Sequence, residues 1–165
     1  MSEITKMDVK KAVEATYEKC CQYRVPAVEE VWSEVEEALP AIDRTAVVSK
    51  QFSFEAAHFL PNVPEGHKCG RLHGHRYEVE IFCRGLIGEA TGWVIDYADI
   101  ASAVDPVIEE LDHHNINEIP GLDNSTAENL AVWIWKRLED KLPLSEIVIF
   151  ETASTSVRYA GYGDK

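Results

Sequence analysis

HGHRYEVEIFCRG, residues 73–85, alternates: Tyr77, Val79, Ile81 and Cys83 are set against Arg76, Glu78, Glu80 and Phe82. Successive side chains of a strand point to opposite faces, so this segment is a strand with one apolar face. Whatever else the chain does, it has to bring apolar cover to that face. Two histidines stand at the head of the same strand, spaced so that both fall on one side.

The segments around it supply the cover. AVVSKQFSFEAAHF, from residue 46, is rich in β-branched and aromatic residues and reads as a second strand. LPNVPEGHKCGR, with two prolines and two glycines, is a loop between the two. DYADIASAVDPVIEEL is a helix whose Ile100, Ala101, Val104, Val107, Ile108 and Leu111 share a face. Asp96 is its expected N-cap, and Pro106 is expected to kink it. DHHNINEIPGLDN reads as a polar loop. STAENLAVWIWKRLEDKL is a second helix, opened by the capping-box pattern Ser125 to Glu128. SEIVIFETAS and TSVRYAG are two closing strands. The order is ββααββ.

Residues 1–45 have a different character. Val28, Val31, Trp32, Val35, Ala38 and Leu39 fall at helical spacing, with Pro26 near the start and Pro40 after the end. A weaker helix precedes it, from about Asp8 to Cys21. The expected organisation is a helical extension over 1–45 and a domain over 46–165. The extension is expected to pack on the core or line a subunit contact, with a partner-docking arm as the alternative. A chain starting near Thr45 that kept its assembly and melting temperature would contradict that.

The 165 residues suffice for one domain with a real core. The formal net charge of −13 argues against nonspecific binding to nucleic acid, which needs a basic face. It also means that an anionic substrate has to be met by a few basic groups or a metal. No apolar run is long enough to span a membrane, and MSEITKMDVKK lacks the apolar stretch of a signal peptide, so a cytoplasmic protein is expected. The four cysteines, two of them adjacent, do not suggest a disulfide framework.

All six histidines lie between residues 58 and 114. His73 and His75 can present imidazoles side by side, about 7 Å apart at the backbone by strand rise. His58 ends the preceding strand and can come opposite them if the two strands form a hairpin. Three neutral imidazoles with a fourth position open is the catalytic zinc arrangement. Solvated or hydrogen-bonded histidines are the plain alternative, and a set using Cys69, closed by His67, is a rival. Cys69 sits among basic residues in GHKCGR, a setting that suits a working thiolate, whereas Cys83 reads as core packing. Asp112 beside His113 is either a proton-relay pair or part of a helix end favourable to histidine. Glu151, after an apolar strand run, is either solvated or a deliberate acceptor. Ser125 and Glu128 are more simply a cap than a site.

FSFEAAHFLPNVPEGHKCGRLHGHRYEVE, TGWVIDYADI, LDHHNIN, STAENLAVWIW and ETASTSVRYAG occur in that order between Val47 and Gly161. Together they resemble the 6-pyruvoyltetrahydropterin synthase superfamily, and within it the bacterial queuosine branch. The resemblance implies an α+β tunnelling fold (T-fold): a four-stranded antiparallel sheet with two helices on one face. It implies homo-oligomers, trimers or hexamers, with sites between subunits. It implies zinc on His58, His73 and His75, a catalytic Cys69, and an acid–base pair Asp112–His113. It implies a pterin anchored by Glu151 with help from the segment around Ser125 and Thr126. The implied substrate is 7,8-dihydroneopterin triphosphate, and the implied products are 6-carboxy-5,6,7,8-tetrahydropterin, acetaldehyde and triphosphate. The sister pyruvoyl activity and a non-catalytic zinc- or pterin-binding module are the alternatives. His67, Lys68, Arg71 and Arg158 are candidates for the triphosphate.

Overall fold

The computed structural model describes residues 44–161 and, apart from them, Lys11. The chain divides into two units, Met1–Asp43 and Arg44–Lys165. The expected helices of the extension fall outside the described residues.

Four strands and two helices follow one another in the expected order. They are β1 (Thr45–His58), β2 (His73–Leu86), α1 (Tyr97–Leu111), α2 (Ala127–Leu138), β3 (Leu144–Thr152) and β4 (Thr155–Tyr159). The sheet order is β1-β2-β3-β4, antiparallel throughout. The two helices lie in the connection between the neighbouring antiparallel strands β2 and β3 and cover a single face. The α1 helix packs on β1, and α2 on β3 and β4.

Alternation in β2 decides what that face buries. Tyr77, Val79, Ile81 and Cys83 are all fully buried. The register sets Phe54 against Tyr77, Val79 against Ile149, and Ile81 against Ile147. Each such side chain taken from water contributes about 1.5–3 kcal/mol. Ile100, Val104, Val107 and Leu111 of α1, and Leu130, Ala131, Ile134 and Leu138 of α2, close over them. The same face of β2 continues beyond Tyr77 into His75 and His73, so the core stripe runs directly into the histidines. Gly74 lets this happen: a Cβ there would sit 3.2 Å from the Ala56 carbonyl oxygen of β1.

Asp96 caps α1 as expected, accepting from the Ala98 N–H, and the helix runs through Pro106 as one element. The capping box is a correction. Thr126 is the cap of α2, its side chain accepting from the Asn129 N–H. Ser125, one residue earlier, is buried and turned elsewhere. The stretch read as a polar loop is a second correction. It holds a 3-10 turn, Ile116–Glu118, and buries Ile116, Ile119 and Leu122. A period of three had replaced the periods of two and 3.6 that mark strands and helices.

After β4 the chain passes close to α2. Gly161 has φ +62, and a Cβ on it would lie 2.2 Å from the Trp135 ring. Trp135 is itself held by its indole N–H on Glu139 and its edge on Tyr159. Gly161→Ala is therefore expected to cost about 1–3 kcal/mol. Thermal melting should show a Tm lower by several degrees.

Candidate active site

The last residue of β1 pairs with the first of β2, His58 against His73, and His75 follows on the same face. Their ring centroids lie 4.5, 5.2 and 5.0 Å apart. One nitrogen from each lies within 4.8 Å of the others. Among the described residues the cluster consists of the three histidines and includes no cysteine.

Backbone carbonyls set the tautomers. His58 Nδ1 is 3.0 Å from the Ser125 carbonyl oxygen, and His73 Nδ1 is 2.7 Å from that of Arg71. A carbonyl can only accept, so each Nδ1 carries the proton and each Nε2 keeps its lone pair. Outer partners of this kind orient metal-bound histidines. His58 Nε2 is buried with no hydrogen-bond partner. Burial pushes His58 and His75 below the ordinary imidazole range, against the Ser125 carbonyl in the first case and Glu151 in the second. Both rings are thus neutral at neutral pH, the form that binds metal. An orphaned lone pair among three converging imidazoles fits a divalent metal ion.

Glu151 stands over the cluster, its Oε1 3.5 Å from His58 Nε2 and 3.9 Å from His75 Nε2. It lies where the β3–β4 register shifts between Phe150 and Thr152, an irregularity that frees it from the ladder. Tyr77, wholly buried, closes the floor beside His58 and His75. Burial, and then Glu151, push its phenol far above the usual range. A hollow of about 560 Å³ opens above, walled by the three histidines, Glu151, Cys69 and Arg71. Cys69 is carried by a 3-10 turn, Lys68–Gly70, that His67 caps. It is partly exposed, whereas burial pushes the Cys83 thiol up to about 11 and leaves it as packing. Lys68 also lines the hollow. Arg158 is poorly suited to meeting an anion there, being paired with Glu146 at 2.6 Å.

Asp112 and His113 lie at the end of α1, against the edge of β1. Asp112 Oδ1 accepts from the Glu55 N–H at 2.9 Å, and its Oδ2 meets His113 Nδ1 at 2.8 Å. The His113 backbone is left-handed, φ 59, and its N–H donates to the Glu55 carbonyl. The pair is therefore built and oriented by both backbone groups of one β1 residue. That separates it from a histidine merely placed at a helix end. The Glu55 N–H and then His113 pull Asp112 down, and the Asp112 carboxylate holds His113 above its ordinary range. The charged ring thus persists to higher pH than a free histidine. In Asp112→Asn that support is gone, and an NMR titration should find His113 deprotonating at lower pH than in the wild type. His113 lines a separate hollow of about 570 Å³, which shares His75 with the first.

Over residues 47–162 the sequence matches the family described as 6-pyruvoyl tetrahydropterin synthase. The chain belongs to that family. A 6-carboxy-5,6,7,8-tetrahydropterin synthase from Synechocystis is 38% identical over 120 residues, which is 68% of this chain and 92% of that protein. A dihydroneopterin monophosphate aldolase from Pyrococcus furiosus is 41% identical over 91 residues, 55% of this chain and 73% of that protein. The solved structure of Caenorhabditis elegans 6-pyruvoyl tetrahydropterin synthase superposes with a TM-score of 0.66 at 25% identity, covering 71% of this chain and 96% of that one. The chain thus has the T-fold of the 6-pyruvoyl tetrahydropterin synthase family.

Within that family fold, local sequence pattern misjudges one residue at the site. Ser125 reads more simply as a helix cap. It is 1% exposed, and it reaches His58 through its carbonyl oxygen at 3.0 Å and its Oγ at 3.4 Å. Only the return of α2 to the end of β1, 67 residues away in sequence, makes that contact.

Proposed function

We propose that the chain is a zinc-dependent 6-carboxy-5,6,7,8-tetrahydropterin synthase, a carbon–carbon lyase of queuosine and 7-deazaguanine biosynthesis, acting in the cytoplasm. It converts 7,8-dihydroneopterin triphosphate to 6-carboxy-5,6,7,8-tetrahydropterin, acetaldehyde and triphosphate. The observation that carries the reading is the convergence of Cys69, His58, His73, His75 and Glu151 on one hollow. The 38% identity to the Synechocystis synthase supports the choice of product.

The three histidines hold the zinc, which when bound supplies Lewis acidity toward the side-chain hydroxyls. Cys69, as thiolate, moves protons at the side-chain carbons, and Asp112–His113 is the second acid–base group. Glu151 accepts paired N–H donors from the guanidine-like edge of the pterin. An adjoining hollow of about 370 Å³, lined by Thr126, Glu128, Glu151 and Thr155, gives the ring room. Thr126 borders that space, while Ser125 serves the same segment by steadying His58. Lys68 and Arg71 meet the triphosphate. In one protomer His113, oriented by Asp112, opens on a different hollow from Cys69. That separation supports a trimer or hexamer whose sites are completed between subunits.

The test is product identification by mass spectrometry after incubating zinc-loaded protein with 7,8-dihydroneopterin triphosphate. Carboxytetrahydropterin with acetaldehyde is expected. Pyruvoyltetrahydropterin instead would assign the sister activity. The likeness to the Pyrococcus protein favours one further arm, the monophosphate as substrate. Its preferential cleavage would replace the synthase reading by an aldolase. Pterin binding without turnover would leave a binding module.

A further inference from the structure

The carboxamide of Asn117 is fully engaged next to the histidine cluster, yet belongs to none of the groups named above. It lies in the 3-10 turn that follows Asp112 and His113. Its Oδ1 accepts from the Phe59 N–H at 2.8 Å, and its Nδ2 donates to the Phe59 carbonyl at 2.9 Å. Phe59 is the residue after His58 and lies just past the end of β1. A carboxamide that accepts from and donates to one residue's main chain reproduces the exchange of a hydrogen-bonded antiparallel pair. Strand-like order is thereby carried through His58 instead of stopping at it.

The remaining Nδ2 hydrogen goes to the Asp123 carbonyl at 3.0 Å. Asp123 belongs to the loop that brings Ser125 to His58. Ser125 closes the circuit: its carbonyl oxygen takes His58 Nδ1, and its Oγ donates to the Phe59 carbonyl at 3.4 Å. One side chain thus fixes both the backbone of Phe59, next to His58, and the segment that sets the His58 tautomer. A ligand free to tilt or to change tautomer loses affinity even when its ring is intact.

We propose that Asn117 is a positioning residue for the metal centre, holding His58 and its Ser125 acceptor in one frame. This rests on the reading of the three histidines as metal ligands. The experiment measures zinc affinity by chelator competition and the visible bands of the cobalt-loaded full chain. It compares wild type, Asn117→Ala, Asn117→Asp and, as a control weakened elsewhere, Gly161→Ala. Asn117→Asp keeps the size and the acceptor for Phe59, but gives up both donors and sets a carboxylate against two carbonyl oxygens. Both Asn117 variants are expected to bind zinc roughly tenfold more weakly. Their cobalt bands should shift, while Gly161→Ala changes neither readout despite its lower Tm. Unchanged affinity and bands in the Asn117 variants would overturn the proposal, as would equal weakening in Gly161→Ala. If Asn117→Ala does not fold, Asn117→Asp decides alone. A wild-type chain that binds no zinc fails at an earlier step and overturns the metal reading itself.

Discussion

If the proposed metal centre is right, replacing His75 by alanine is expected to abolish zinc binding at working concentrations, and turnover with it. The His75 side chain is 20% exposed and packs on Tyr77, so its removal also lowers the Tm somewhat, and zinc affinity is therefore measured on the folded variant. The other two imidazoles keep their places, because the Ser125 and Arg71 carbonyls hold them independently of His75. Two ligands cannot reproduce the affinity of three converging ones. The loss should exceed the roughly 10–100-fold that follows removal of an outer partner. Chelator competition measures it, with product formation on the same samples. A His75→Ala chain that still binds zinc like wild type would show that the cluster is not the metal centre.

Cys69→Ala gives the opposite pattern: zinc and pterin bind as before while turnover falls. A positioned proton-transfer group contributes about 10²–10⁴-fold, and that is the expected loss. The geometry separates the two predictions. Cys69 walls the hollow but lies outside the set of nitrogens within 4.8 Å of one another. Its replacement should therefore leave metal affinity alone. Cys69→Ser, with the same shape and a far weaker acid, should be nearly as slow. If zinc affinity fell in step with activity, the thiol would be a ligand and the proton-transfer role would go.

Much of the fold was legible because β2 writes its environment into its sequence. A period of two from Tyr77 to Cys83, with Tyr77, Val79, Ile81 and Cys83 on one side, states which side is buried, and the same parity places both histidines of the H-G-H on that side. The α1 face was legible for the same reason at a period of 3.6. The helix start at Thr126 was not. Ser125 and Thr126 are both good caps locally, and the choice turned on Ser125 being drawn into the core by His58. Ile116, Ile119 and Leu122 escaped notice because a 3-10 turn has no strong propensity signature.

The site divides along the same line. Residue type and spacing alone named the histidines, Cys69, the Asp112–His113 pair and Glu151 as chemically notable. For each, however, a plain alternative stayed open, since a sequence records neighbours along the chain and not across it. Tertiary structure placed Glu151 within 4 Å of two histidines, gave His58 a carbonyl acceptor 67 residues away, and set Asn117 across the end of β1. These are contacts between segments that only the antiparallel register and the return of α2 bring together. The sequence determined which side chains share a face, because strand and helix periods are local steric facts. Which lone pairs are free, and what holds them, is a property of packed neighbours and was decided only in the fold.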